Sequence, residues 1–584
     1  MSSVLAAPHE GRSATLPVES LACSVARLAR LDRPAFTHVD YREDRAGVPR
    51  TLTWSEVSAR MLALAERISQ LAAPSDRVAI LCPQDLSYPI SFLAALAAGT
   101  IAVPLFAPET NSHAGRLIGA LADCEAAVWL TTQEALGAVE KLLDDPRVPR
   151  PAGVIAVDRV NPAPASEFEP AAVQLSAPAY LQYTSGSTRD PAGAVITHAA
   201  VAANILQAKA AYDLDESTTC VGWLPFFHDM GLVLMVCTPA FLGARSVFST
   251  PFDFVQRPKR WLDQLASHPN VITAAPNFAF EYCIDRIGAE ERATLDLSGV
   301  RVAINGAEPV RARTIERFEQ VFGPCGFAPE AHRPSYGLAE ATVFVATSCA
   351  GARPRMTTFA RAELMAGRAV PSLRDADAMR LVSAGRPAGQ HVAIVDPLDC
   401  SARPDGEVGE VWVHGPNVAT GYWGQVERSE EAFDARLQRG GDELPADGWL
   451  RTGDLGVRYD GELYITGRLK DMIIVDGKNH YPQDIEETVQ EAHPAVRPGR
   501  VAVFGIPTRE GEAIVVTLER ERGEEAAAIP AEEIARAVRR AVSAAHDLKL
   551  RDIEILQGRK VLRTSSGKIA RAANRDRYVT ERAR

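Results

Sequence analysis

Tyr183 to His198 reads YTSGSTRDPAGAVITH, and it gathers hydroxyls (Thr184, Ser185, Ser187, Thr188), two glycines (Gly186, Gly193) and Arg189 into a short loop. Such a turn can aim backbone N–H groups and hydroxyls at a phosphate. It lacks the GK[ST] ending of a Walker A loop, and a solvated Ser/Thr-Gly hairpin explains it as well when taken alone. Further runs carry polar groups at the ends of apolar segments. HDMG holds His228 and Asp229. A lone histidine takes a role only from its partners. NGAEP holds Asn305, Gly306, Ala307 and Glu308; SYGLAE holds Ser335, Tyr336, Gly337, Leu338 and Glu340. An aromatic there can stack on a purine, and a carboxylate can hold Mg²⁺ beside phosphates. RTGDLG places Asp454 on an expected turn between Trp449 and Val457, where a carboxylate can accept both hydroxyls of a ribose. GRLKD sets Arg468, Lys470 and Asp471 after an expected strand over Leu463 to Thr466, and RTSSGKIAR sets Lys568 on a Gly-containing loop near the end of the sequence. Singly, each is an ordinary turn or a solvated charge run. There is no GxSxG elbow, so Ser-His-Asp hydrolysis is unsupported.

The elements that must position these groups alternate. Tyr180 and Leu181 before the first loop, and Ala194, Val195 and Ile196 after it, predict two strands around a polar turn. Upstream, Thr53 and Glu56 form a capping box, and Val57, Met61, Leu64, Ala65 and Ile68 repeat at helical spacing. Strands are expected over Arg77 to Cys82, Ile101 to Leu105, Val128 to Thr131 and Val154 to Val157, with a helix around Ile90 to Ala98. Downstream, His198 to Tyr212 reads as a helix. Asn270 to Phe280 reads as a buried strand running into an apolar helix. Arg301 to Val310 and Pro334 to Val343 each read as a strand ending in a polar turn. This rhythm predicts an α/β core with ligand contacts at the carboxyl ends of strands. Cys349 to Arg380 is rich in Arg and Ala and reads as an insertion, with one helix over Ala360 to Ala366 flanked by loops. His391 to His414 is β-rich, and Leu469 to Asp471 is a charged joint. From about Met472 a small α+β domain is expected, its helix Ala531 to His546 carrying Ile534, Ala537, Val538, Ala541 and Val542 on one face.

With 584 residues the chain is too long for one core. Its 46% hydrophobic and 23% charged content is ordinary for a soluble protein. A net charge of -11 without a basic patch argues against a nucleic-acid partner. Nine cysteines with no CxxC pair argue against a disulfide framework or a zinc site, and fit a reducing, cytoplasmic setting. The N-terminus has no apolar signal-peptide core. The most apolar run, Tyr88 to Phe106, is broken by Gly99 and Pro104, so a buried helix and strand are expected rather than a membrane span.

In this order, TSGST, HDMGL, YGLAE, RTGDLG, GRLKD and SSGKIAR resemble the signature runs of the acyl-adenylate-forming superfamily, across essentially the whole chain. YTSGSTRDPAG, WLPFFHDMGL and NGAEPV, with the Cys349 to Arg380 segment, are similar to the fatty acyl-AMP ligase versions. The resemblance implies a large N-terminal domain (1–468) of α/β subdomains plus a β-rich subdomain, and a small mobile α+β lid (469–584) hinged at Lys470. It implies ATP and Mg²⁺, a fatty acid substrate, and an acyl carrier protein as acceptor. It implies Lys568 bridging the carboxylate and the α-phosphate, Glu340 holding Mg²⁺, and Thr184 to Arg189 on the β- and γ-phosphates. Tyr336, with Ser335, Gly337 and Leu338, would meet adenine, in a pocket shaped by Asn305 to Glu308. Asp454 and Arg468 would meet the ribose. His228 would stand at the carboxylate end of an acyl tunnel walled by Phe227, Met230, Phe278 and Phe280, four residues that core packing explains equally well. The chain departs from the superfamily pattern at Arg189 (usually Gly), Ala192 (usually Lys) and Ala339 (often Thr). An acyl-CoA ligase with the same adenylation step is the alternative, and an inactive adenylate-binding protein a more distant one.

Overall fold

Two large sheets carry the strand ends singled out above. The structure is a computed structural model that describes residues 19–108, 114–162, 168–183, 191–373, 378–439, 444–475, 478–508, 511–558, 560–564 and 568–582. One sheet has six strands, in the order Gly153–Ala156, Val128–Thr131, Arg77–Ile80, Ile101–Pro104, Pro178–Tyr183, Gly193–Thr197; all pairs are parallel except the last. The other has nine strands, and Thr219–Gly222, Val271–Ala275, Val300–Asn305 and His332–Tyr336 lie side by side in parallel near its centre. Parallel strands covered on both faces read as unbroken apolar runs, and VWLT and IAVP are buried at every position. Helix Ser87–Ala97 is apolar on every side and buries all but its first residue. Its side chains join those of both sheets in one core. Helix Trp54–Ser69 starts at the Thr53 capping box, both of whose hydrogen bonds are made.

The β-rich subdomain is a four-stranded antiparallel sheet of His391–Val395, Val408–His414, Leu450–Tyr459 and Glu462–Arg468. Asp454 is therefore not on a turn between strands. It sits inside Leu450–Tyr459, directly opposite Arg468. Gly453 at φ +68 and a break in register bend the strand there, so the turn-like composition of RTGDLG marks a bulge and not a chain reversal. The Cys349 to Arg380 segment also differs from expectation. Its helix, Arg361–Met365, is flanked by strands Met356–Ala360 and Ala378–Val382, which pair antiparallel. Phe359 is fully buried edge-on to Tyr459 and Tyr464, and Leu364 joins the same cluster.

From Ile473 on, the chain builds a separate core around strands Val496–Thr508, Gly511–Arg520 and Leu550–Leu556. Helix Ala531–His546 buries Ile534, Val538 and Val542 in it. This unit docks on the rest through helix Pro482–Glu491. Asp484, Glu487 and Glu491 fall on one face at i, i+3 and i+7. They meet Arg361, Arg311 (3.8 Å) and Arg313 respectively. The joint Leu469–Asp471 is a single 3-10 turn, with Lys470 exposed and Asp471 bound by Arg571 at 2.9 Å. Arg571 also holds Glu486 at 2.8 Å, which fastens the joint to the small unit. No helix among the described residues is long and apolar enough to cross a membrane.

Candidate active site

A cleft of about 2560 Å³ opens between the large and small units, and most of the singled-out residues line it. The ends of two parallel strands supply one wall. After Val300–Asn305 the backbone turns through Ala307 at φ +63, and Glu308 follows. Glu308 accepts the Phe278 N–H at 2.6 Å. Burial pushes its carboxyl up, against the Phe278 N–H, Arg563, Arg311 and Lys568. Asn305 is fully buried and donates to Asn277. After His332–Tyr336, Gly337 is required by crowding: a Cβ there would lie 1.6 Å from the Val343 carbonyl oxygen. The Ser335 hydroxyl is engaged within the sheet by Tyr212, Thr347 and the Arg333 carbonyl.

Polar groups from other elements meet at Asp454. The Tyr336 hydroxyl donates to its Oδ2 at 2.8 Å, and Arg468 Nε donates to its Oδ1 at 2.9 Å. An ionised carboxylate has about four acceptor positions, so both oxygens keep capacity for a ligand. Lys568 belongs to the small unit, where the Thr564 N–H donates to the Lys568 carbonyl at 2.8 Å and Arg563 bridges Ile569 antiparallel. Burial and then Arg468 push the Lys568 ammonium below its ordinary value, while Asp229, Asp454 and Glu308 oppose them. On the far side, His228 Nδ1 lies 2.5 Å from Asp229 Oδ1. Burial raises the Asp229 carboxyl, but His228 and Lys568 together hold it below the usual value. A cation from one unit thus stands among carboxylates from three separate segments of the other: the start of helix Asp229–Leu232, the turn after Val300–Asn305, and strand Leu450–Tyr459.

Glu340 Oε1 accepts the Tyr422 hydroxyl at 2.9 Å, and both residues line the cleft. Phe227, Met230 and Phe278 line it too; Gln182 Nε2 holds the Phe227 carbonyl at 2.9 Å, and Phe227 packs on Phe106. Phe280 does not. It packs against Trp261, Phe318 and His332 in the core. Positions 278 and 280 of helix Asn277–Arg286 point about 200° apart, so only one can face the cleft. Thr184, Ser185, Gly186, Ser187, Thr188 and Arg189 lie outside the described residues. Two contributors were not singled out from sequence. Tyr422 lies 82 residues from Glu340, the carboxylate it donates to. Arg563, over the Phe278 ring at 5.8 Å, is pushed down to about 10 by burial and by Arg500.

The AMP-binding enzyme family model matches residues 25–423. The long-chain-fatty-acid–AMP ligase FadD32 of Mycolicibacterium smegmatis is 42% identical, over 96% of this chain and 94% of its own. The chain belongs to the fatty acyl-AMP ligase family of AMP-binding enzymes. The 4-hydroxyphenylalkanoate adenylyltransferase of Mycobacterium tuberculosis is 40% identical to this ligase, over 94% of this chain and 89% of its own. A structure from work on fatty acyl-adenylate ligases of E. coli and L. pneumophila superposes with a TM-score of 0.84 at 30% identity, covering 97% of this ligase and 98% of that chain. The L. pneumophila fatty acyl-adenylate ligase solved with acyl adenylate and pyrophosphate has a TM-score of 0.73 at 31% identity, covering 96% of each. Residues 470–584 match a Disco-interacting protein 2-like AMP domain. The α/β fold with a large N-terminal and a smaller C-terminal domain, expected from the sequence, is that of these adenylate-forming neighbours.

Proposed function

We propose that this ligase uses ATP to convert a fatty acid to acyl-AMP and then passes the acyl group to the phosphopantetheine thiol of an acyl carrier protein, in the cytoplasm. The observation that carries the reading is Lys568 of the small unit, set among Asp229, Asp454 and Glu308. In the first step a carboxylate oxygen attacks the α-phosphorus of ATP, a P–O bond forms, and the bond to pyrophosphate breaks. Two anions must meet, and a fixed cation between them lowers the barrier. Lys568 takes that place. Asp454 and Arg468 receive the ribose, Tyr336 the adenine, and Asn305 to Glu308 shape the pocket. His228, oriented by Asp229, stands at the carboxylate end of the acyl path, with Phe227, Met230 and Phe278 on its wall. Thr184 to Arg189 take the β- and γ-phosphates.

A Mg²⁺ ion is normally held by one or two carboxylates plus phosphate oxygens and waters. Glu340 fits that role: it lines the cleft, and Tyr422 engages only Oε1. When bound, the ion would neutralise phosphate charge. We divide the chain into an adenylate-forming domain (1–468) and a lid (469–584), with Lys470 at the hinge.

The carrier protein is preferred over CoA as acceptor because of the 349–380 insertion. Arg361, on its helix, binds Asp484 of the lid, and both side chains are largely buried. The insertion therefore adds a tether that opposes lid rotation, and carrier docking offsets it. Incubation with ATP, a fatty acid and either CoA or holo carrier protein should yield acyl-carrier far faster than acyl-CoA. Equal rates would favour the acyl-CoA ligase alternative. Arg361→Ala should leave adenylation intact and raise acyl-CoA formation by about tenfold, a loss of about 1.4 kcal/mol from the closed state. The effect is modest because the two neighbouring arginine pairs remain. Chromatography of the thioester products reads this. Normal adenylation with acyl-CoA still absent would assign the discrimination to the CoA path itself.

A further inference from the structure

Arg563 and Lys568 share one small element of the lid. The Thr564 N–H donates to the Lys568 carbonyl at 2.8 Å, the Lys568 N–H to the Thr564 hydroxyl at 3.2 Å, and the Ala570 N–H to the Leu562 carbonyl at 3.0 Å. Arg563 is thereby paired directly with Ile569, the neighbour of Lys568. Asn574, on helix Arg571–Arg582, ties this element to the rest of the lid: its side chain accepts the Leu562 N–H at 3.0 Å and donates to the Leu562 carbonyl at 2.9 Å. Residues 562–564 and 568–570 therefore form one piece, and whatever seats Arg563 also sets the backbone of Lys568.

The half-buried Arg563 guanidinium reaches across to the large domain. Its central carbon lies 5.8 Å from the centre of the Phe278 ring, within cation–π range. Gly499 of the lid backs it; a Cβ there would lie 3.8 Å from Nη2. The ring it meets is itself fixed. The Phe278 N–H is bonded to Glu308 at 2.6 Å. Trp223 meets the Phe278 ring edge-on at 6.4 Å and stacks on Phe254 at 3.9 Å. Glu308 draws Arg563 and Lys568 alike. The three ion pairs of helix Pro482–Glu491 dock a different part of the lid and do not touch this element. A lysine side chain is costly to hold still, and a stabilising charge lowers a barrier only when it is already in place.

We infer that Arg563 is a positioning residue for adenylation: seated on the Phe278 ring, it fixes the backbone from which Lys568 reaches the reacting anions. This rests on the reading above that Lys568 carries the first step. Arg563 touches no reacting atom in this account, so its effect passes entirely through Lys568.

Single-turnover acyl-AMP formation would be measured on the full-length ligase for the wild type, R563A, R563K, K568A and the R563A/K568A double variant. At saturating ATP and fatty acid, R563A should be roughly tenfold slower, the scale of one desolvated cation–π contact. KM for ATP and for the fatty acid should stay at the wild-type values. R563K, which keeps a cation over the ring, should recover part of the rate. In the K568A background R563A should cost nothing further, because two residues that act through one group are not additive. Acyl transfer from supplied acyl-AMP should proceed as in the wild type. A wild-type adenylation rate in R563A would overturn the inference. So would an equal further loss in the K568A background, a raised KM for the fatty acid at unchanged maximal rate, or an equal slowing of acyl transfer. K568A at the wild-type rate would overturn the Lys568 reading and this inference together; a slow K568A with an unaffected R563A would overturn this inference alone.

Discussion

Lys568→Ala is expected to slow acyl-AMP formation by about 10²–10³, the usual loss for one electrostatic stabiliser in a desolvated site. ATP affinity should change little, because Asp454, Arg468 and Tyr336 remain in place. The charge on Lys568 is the quantity at stake. Burial and Arg468 push its pKa below 10.5, so it gives up its proton at a lower pH than an ordinary lysine. kcat/KM for ATP should accordingly fall as pH rises through that depressed value, since this ratio reports the free enzyme. Lys568→Arg should lose that alkaline limb, because arginine does not titrate in the range. Single-turnover measurement of acyl-AMP separates the effect from product release. An unimpaired adenylation rate in Lys568→Ala would remove the residue from the chemistry.

Asp454→Ala should weaken ATP binding by about 1.5–3 kcal/mol, roughly ten- to a hundredfold. Asp454 is 6% exposed and sits between the Tyr336 hydroxyl and Arg468. Removing it leaves both of those groups, and the ribose hydroxyls, without their acceptor. A ligand lacking the ribose hydroxyls isolates the direct contact. 2′,3′-Dideoxy-ATP should bind the wild type about as weakly as ATP binds the variant, and should lose little more in the variant. Additive losses would mean that Asp454 serves only to fix Tyr336 and Arg468. Wild-type ATP affinity by calorimetry would reduce it to a strand residue.

Local signals carried much of the fold. Helices His198–Tyr212 and Ala531–His546 run over the expected residues because each ends at a left-handed residue, Asp213 and Asp547, that breaks the helix whatever surrounds it. Asp454 was misplaced because a bulge and a turn draw on the same residues; only the partner strand distinguishes them. The insertion's strands were missed because MTTFA and AMRLV are short and lie on either side of a helix. Phe280 was grouped with Phe278 by composition, although a helix sends them in different directions. The site itself was legible as runs and not as geometry. Nothing near Glu340 in sequence points to Tyr422, and nothing near Lys568 points to Asp229. The matching of Asp484, Glu487 and Glu491 to Arg361, Arg311 and Arg313 joins segments more than a hundred residues apart and leaves no local signal.

Mass spectrometry of the products formed from ATP and a panel of fatty acids, with no thiol acceptor present, tests the central claim most directly. Acyl-AMP should accumulate with matching pyrophosphate for at least one chain length, and should be lost in Lys568→Ala. ATP turnover without an acyl-AMP species for any acid in the panel, or no turnover at all, would contradict it.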